Sequence, residues 1–326
     1  MEESYFLAKT LVSSKYKESD EFYPLLLLAL TALYYKYNAN PEIVEDVFRE
    51  TDIYIEPDTI KNIVKRHRPS KRSTDNLPEN ITGISSTDET ITFDGNAFTI
   101  QDGNPWIACN NSDCSQVELL NNVVHELNHL IKAHFNHVIV SADDDISFFL
   151  RSGLNIVQHT AVPSNGDIFE GILFNTVDEV INTLQTSEMM VSLRMLDGII
   201  PDAVVANFFD SLDKDELEWD FGYEYLLPIF KPLWQNRYFH DLIEDNILYG
   251  NIDAISEGFD SYVYDNSFVH LADYMDELDA VIDNALSTND DEIISDCADQ
   301  EIDLENKISS IISQFNDANR CIKHNQ

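Results

Sequence analysis

Positive charge is scarce in this chain: 20 Lys and Arg stand against 59 Asp and Glu, a formal net charge of −39 over 326 residues. A field of that sign repels phosphate, which excludes a nucleic-acid backbone or an anionic membrane surface as a general partner. Glycine and proline are also sparse, at 10 each, while 44% of the residues are hydrophobic. Collagen-like, low-complexity and disordered chains are thereby excluded, and a substantial core is expected, in one large or two ordinary domains. The four cysteines, Cys109, Cys114, Cys297 and Cys321, form no C-x-x-C pair. Neither a disulfide scaffold nor a zinc ribbon is indicated, and free thiols are expected. The longest apolar run, Leu25 to Leu33, is too short to span a bilayer. Glu2 and Glu3 stand where a secretory signal would carry positive charge, and no small-residue cleavage site follows, so a cytoplasmic location is expected.

The apolar spacing gives the organisation. Residues 1 to about 68 cluster at helical spacing, Tyr23 to Tyr37 suiting a buried helix and Asn40-Pro41-Glu42 opening a short one. Six of the twenty Lys and Arg lie between Lys61 and Arg72, the end of a solvated helix, before a linker-like stretch from Ser73 to Asn80. From Ile91 to Cys109 the period changes to two, with Asp94-Gly95 and Asp102-Gly103 as turn signals. A helix is predicted from about Gln116, then strands within RSGLNIVQHTAV and IFEGILF, then a helix from near Asn175. From Tyr238 to Asn306 there is no Lys or Arg and there are 20 Asp or Glu. Leu271, Met275, Leu278, Ile282 and Ala285, and further on Leu304, Ile308, Ile311 and Phe315, predict two long amphipathic helices there, their acids a solvated face.

One stretch carries chemistry. Asn122 to Lys132 reads NVVHELNHLIK, containing His125-Glu126-Leu127-Asn128-His129. On a helix, positions i and i+4 share a face, so His125 and His129 can bind one zinc ion. Glu126 then lies beside the metal without ligating it, where it can accept a proton from an activated water. Apart from Glu126, no Asp, Glu, Lys or Arg falls between Glu118 and Lys132, so the helix reads as buried, where unpaired polar groups are costly. No phosphate-binding loop, dinucleotide fingerprint or nucleophile elbow occurs, and Asp143 to Asp145 lack the glycine of a calcium loop.

This stretch resembles the zincin metallopeptidases, whose fuller pattern asks for uncharged variable positions and an apolar residue two places after the second histidine, as Leu127, Asn128 and Ile131 supply. The close match covers about ten residues. The metzincin subclass would want glycine at 132 and histidine at 135; Lys132 and Phe135 stand there, and His134 is about 100° of helix out of place. The gluzincin subclass takes its third ligand from a glutamate on a downstream helix, and the resemblance implies Glu179 in NTVDEVINTLQT, in preference to Asp178, Glu170 or Glu188. Asn182, Thr183 and Thr186 form a small polar face beside it. Thermolysin-like gluzincins often place an aspartate where Thr183 stands, a departure that leaves the detailed subfamily open.

The expectation is therefore a predominantly helical α+β protein: an N-terminal helical region and linker over 1–76, a zincin-like core with a small sheet over 77–239, and an acidic helical region over 240–326. The resemblance implies Zn2+ held by His125, His129 and Glu179, Glu126 as general base, and hydrolysis of a peptide or protein substrate, basic peptides being the class the charge favours. No nucleic-acid or membrane partner is expected, and the sequence fixes no oligomeric state. Tyr223, Tyr225 and His240 are candidate oxyanion donors, each with packing as the commoner alternative, and Arg151 is a candidate for a substrate carboxylate or an internal acid. Two other readings stand beside the enzyme: a catalytically silent zincin-like binding or regulatory protein, and a structural zinc closed by Cys109 and Cys114.

Overall fold

A computed structural model describes residues 1–56, 60–67, 82–87, 90–93, 98–101, 103–112, 114–134, 138–141, 146–161, 168–219, 221–288 and 290–323. The Ser73–Asn80 stretch, the Asp94-Gly95 turn and the Asp143–Asp145 run lie outside them, as do the side chains of Arg151 and Glu170.

In chain order the elements are α1 (Glu2–Lys15), α2 (Tyr23–Lys36), α3 (Pro41–Glu50), β1 (Asp52–Glu56), α4 (Ile60–His67), β2 (Gly83–Ser86), β3 (Thr90–Phe93), β4 (Phe98–Gln101), β5 (Trp106–Asn110) and α5 (Gln116–Ala133). There follow β6 (Val138–Ser141), β7 (Ile146–Ser152), β8 (Asn155–Ala161), β9 (Ile168–Leu173) and α6 (Asn175–Ser192). The remainder is helical: α7 (Ala203–Ser211), α8 (Leu227–Trp234), α9 (Arg237–Asn246), α10 (Ile252–Asp260), α11 (Ser267–Ser287) and α12 (Asp291–Lys323). The protein is thus a mostly helical α+β chain, and no helix among the described residues is long and apolar enough to cross a membrane.

Residues 1–134 and 182–221 form one compact unit, and 135–181 and 222–326 a second. α6 is a single helix whose first turns, through Ile181, belong to the second unit and whose remainder, from Asn182, belongs to the first.

In the first unit the apolar run of α2 buries every side chain from Tyr23 to Tyr34, as an all-round hydrophobic helix must. It packs against α1, α5 and α7. A three-stranded sheet, order β1-β5-β2, has β1 parallel and β2 antiparallel to the central β5. Strand alternation puts Trp106 and Ala108 with Ile60, Ile63 and Val64 of α4, leaving Ile107 and Cys109 for the opposite face. α5 packs on β5 and β2 as well as on α2 and α3, so it is enclosed on several sides. β3 and β4 pair as an antiparallel hairpin, Thr90 opposite Gln101, matching the period-two reading. β1 is an addition to the N-terminal region read as helical: five residues forming a parallel pair with a strand some fifty positions on leave almost no local signal.

In the second unit β6-β7-β8-β9 is an antiparallel meander. The tight β7–β8 turn has Gly153 at φ 60°, and the buried Asp178 carboxylate accepts the Leu154 N–H at 2.9 Å. α11 and α12 pack together, burying Leu271, Met275 and Leu278 of one and Leu304, Ile308, Ile311 and Phe315 of the other. Phe315 stacks on Phe259 at 4.5 Å between centroids, within a cluster including Phe239 and Tyr262. Asp276 of α11 caps α6, accepting the Thr176 N–H at 2.8 Å.

Further along α11, Asp279 accepts a hydrogen bond from the Tyr225 hydroxyl. Burial raises this carboxyl above its ordinary value; the tyrosine bond pulls it down, and the charges of Asp283, Asp276 and Glu179 push it up again. In the unfolded chain the group titrates near 3.9. A raised folded value means the folded state binds the proton more tightly, so stability falls as pH climbs from the unfolded value through the folded one. Asp279→Asn retains an acceptor oxygen for Tyr225 and cannot ionise. Thermal melts should therefore show the variant more stable than wild type at pH 8, with the difference closing as pH falls towards about 4.

Candidate functional site

α5 starts where the sequence places it because Ser115 caps it, its hydroxyl accepting the Glu118 N–H at 3.1 Å and donating to the Glu216 carboxylate at 2.7 Å. After its first turn the helix is buried at every position through Ala133 except two, His125 and His129. They lie a turn apart on one face and line its one open strip. The two Nε2 atoms are 3.1 Å apart and the rings are inclined at 75°.

α6 repeats the pattern: from Thr176 to Ser187 every residue is buried except Glu179. The ligand atoms of His125, His129 and Glu179 all lie within 4.8 Å of one another. Two tetrahedral Zn–N bonds of about 2.0–2.1 Å would set their nitrogens about 3.3 Å apart, close to the 3.1 Å found. Two imidazoles and one carboxylate match the donor set of catalytic zinc sites that keep a position open. The residues present fit such an ion.

Asp178, the neighbouring alternative, is 2% exposed and already holds the β7–β8 turn. One position along the helix separates a buried structural carboxylate from a half-exposed one.

Glu126 is 8% exposed, on the side of α5 towards β2. Its carboxylate lies directly over Gly83: a Cβ built there would be 2.6 Å from Oε1. Gly83 opens β2, an edge strand among the described residues, and is paired in register with Cys109 of β5. A side chain at position 83 would make the Glu126 side chain shift from where it lies.

The cysteine alternative is not assembled. The cluster contains neither Cys109 nor Cys114. Burial, then the Glu126 charge, then Cys114 push the Cys109 thiol well up, which opposes the thiolate a zinc ligand must be. Cys114 donates to the Asn110 carbonyl at 3.5 Å.

The oxyanion candidates have structural partners. Burial, then the Asp279 hydrogen bond, raise the Tyr225 hydroxyl above its ordinary range. Tyr223 sits 6.3 Å from Tyr225 between centroids, at a left-handed φ of 49°. His240 meets the Trp234 ring edge-on at 4.7 Å.

Several features escaped sequence reasoning. Gly83 carries no local signal beyond being glycine. Lys132, 1% exposed, is buried where a solvated helix end would be expected. The polar face beside Glu179 divides: Asn182 accepts from Asn128 and donates to the His125 carbonyl, Thr186 donates back to the Asn182 carbonyl at 2.8 Å, and the buried Thr183 hydroxyl has no partner. Gln185 and Tyr37, both bonded to Asn128, could not be linked to the motif without the fold.

No family model, curated protein or solved structure matches the chain, so the site is read from its own geometry.

Elemental analysis of protein purified without added metal should find one zinc per chain. His129→Ala should abolish it and Glu179→Ala should weaken it, with the helical circular dichroism of both variants unchanged, because all three side chains lie on the open strips.

Proposed function

We propose that the chain is a zinc-dependent peptidase of the zincin type, acting on peptide or protein substrates. The observation that carries this is the coincidence of exposure with chemistry. Between Leu119 and Ala133 of α5 and between Thr176 and Ser187 of α6, the three positions left open are two histidines and a glutamate whose ligand atoms converge within 4.8 Å. Packing alone gives no reason for polar groups to occupy those three positions together.

His125, His129 and Glu179 would hold the ion, which when bound would supply Lewis acidity and lower the pKa of a water to about 7. The chain's own part follows from where Glu126 sits. It follows His125 in sequence, so its carboxylate lies to the side of the histidine face, held against Gly83 at the edge of the sheet. From there it takes one proton from the attacking water as the water oxygen bonds to the substrate carbonyl carbon. It delivers that proton to the amide nitrogen as the C–N bond breaks, leaving a carboxylic acid and an amine. β2 offers an edge alongside this carboxylate, and an extended substrate backbone could pair with it as strands pair. The order of strands, motif helix and ligand-bearing helix is also that of a zincin core, supporting the resemblance.

Glu126→Gln removes the base and spares the ligands. Peptidase assays on a mixed peptide library should show activity falling by at least about a hundredfold with zinc content unchanged. A variant as active as wild type would instead support a silent zincin-like binding or regulatory protein.

The net charge of −39 gives a second expectation, that the field concentrates cationic peptides. At low ionic strength, hydrolysis of a lysine-rich peptide should outpace that of a glutamate-rich one, and the gap should narrow at about 0.5 M salt, where the Debye length is only a few ångströms. Equal rates at both salt concentrations would remove charge from the account of specificity.

A further inference from the structure

A chain of buried polar groups runs through the first unit to the backbone of the histidine helix. Tyr37, just after α2, donates its hydroxyl to Asn128 Oδ1 at 2.5 Å. Asn128 uses both of its N–H groups, one to Asn182 Oδ1 at 2.7 Å and the other to Gln185 Oε1 at 3.3 Å. Asn182 Nδ2 then donates to the backbone carbonyl of His125 at 3.1 Å. Asn128, Asn182 and Gln185 are each 0% exposed. Every link has a donor and an acceptor, so the direction of each amide is fixed by the chain of bonds.

The last link is specific in its target. In an α-helix the carbonyl of residue 125 also accepts the N–H of residue 129. Asn182 therefore grips the hydrogen-bonded unit that joins the two histidine positions. It stands three residues after Glu179, on a neighbouring face of the same helix. Sliding α6 by one residue, or rotating it by the corresponding 100°, would break this bond and carry Glu179 away from the histidine nitrogens together.

We propose that Asn182 is a positioning residue for the metal site, setting the register of α6 on α5 so that the Glu179 carboxylate meets His125 Nε2 and His129 Nε2. This rests on the metal-site reading above. A role in helix packing alone would cost stability without regard to Glu179, whereas a positioning role acts through Glu179 and disappears when Glu179 is gone.

The test is a double-mutant cycle on the full chain, measuring zinc affinity by competition with a chromophoric chelator for wild type, Asn182→Leu, Glu179→Ala and the double variant, with circular dichroism of each metal-free protein. The expected result is a loss of about tenfold or more for Asn182→Leu in the wild-type background, the size seen when a group orienting a ligand is removed, and less than twofold in the Glu179→Ala background. Equal losses in both backgrounds, or no loss in either, would overturn the positioning role while leaving the metal site intact. Failure of the wild-type protein to take up zinc would overturn the metal reading itself, and this inference with it. Should Asn182→Leu prove unfolded, Asn182→Ser, smaller and still polar, enters the same cycle with the same criteria.

Discussion

Burial of α5 on nearly every side is the constraint from which the rest of the site follows. A helix enclosed by a sheet, α2 and α3 has no water to satisfy polar side chains, and each one left unpaired would cost on the order of 1–3 kcal/mol. Yet Asn128, Glu126 and Lys132 are all buried on it. Asn128 meets the requirement through bonds to three other side chains, and Glu126 is accommodated where the sheet offers a glycine. The histidines avoid the requirement by occupying the open strip. Side chains carried on the packed stretches of two helices have little freedom to rearrange, the condition a preorganised site would need.

What could be read from the sequence divides along the line between local and distant determinants. The buried α2, the proline-led start of α3, the starts of α5 and α6 and the paired C-terminal helices each follow from a period of 3.6 or from a cap within a few residues. Neighbouring helical positions face different ways, and Glu179 is half-exposed where Asp178 is 2% exposed. β1 and β2 were not legible. β1 depends on a parallel partner far along the chain, and β2 reads Gly-Ile-Ser-Ser, whose two serines and glycine are poor strand formers. Gly83 matters only because a carboxylate from another element lies on it, and Tyr37 only because Asn128 is its partner; no pattern within either segment contains that information.

The acidic composition was read as a solvated face, and that is only part of its role. With 20 cationic residues against 59 acids, most carboxylates have no ammonium or guanidinium to pair with. Several bond to backbone N–H groups that a helix start or tight turn would leave unsatisfied, Asp202 doing so while also paired with Lys9 at 2.8 Å. Asp202 caps α7 through the Val204 and Val205 N–H groups at 2.9 and 3.3 Å. Asp260 accepts from the Asn266 and Phe268 N–H groups at 2.7 and 2.9 Å, fixing the entry to α11 at the left-handed Asn266. Asp276 does the same for α6, and Asp178 for the β7–β8 turn.

The bonds of Asp202, Asp260 and Asp276 place negative charge at the positive, N-terminal ends of α7, α11 and α6, so each acid so placed offsets some of the self-repulsion its charge adds. The arrangement bears on the site as well. Asp276 and Asp178 bond to backbone N–H groups, and Asp279 accepts from Tyr225. Glu179 is the carboxylate of α6 whose oxygen lies with the His125 and His129 nitrogens within 4.8 Å.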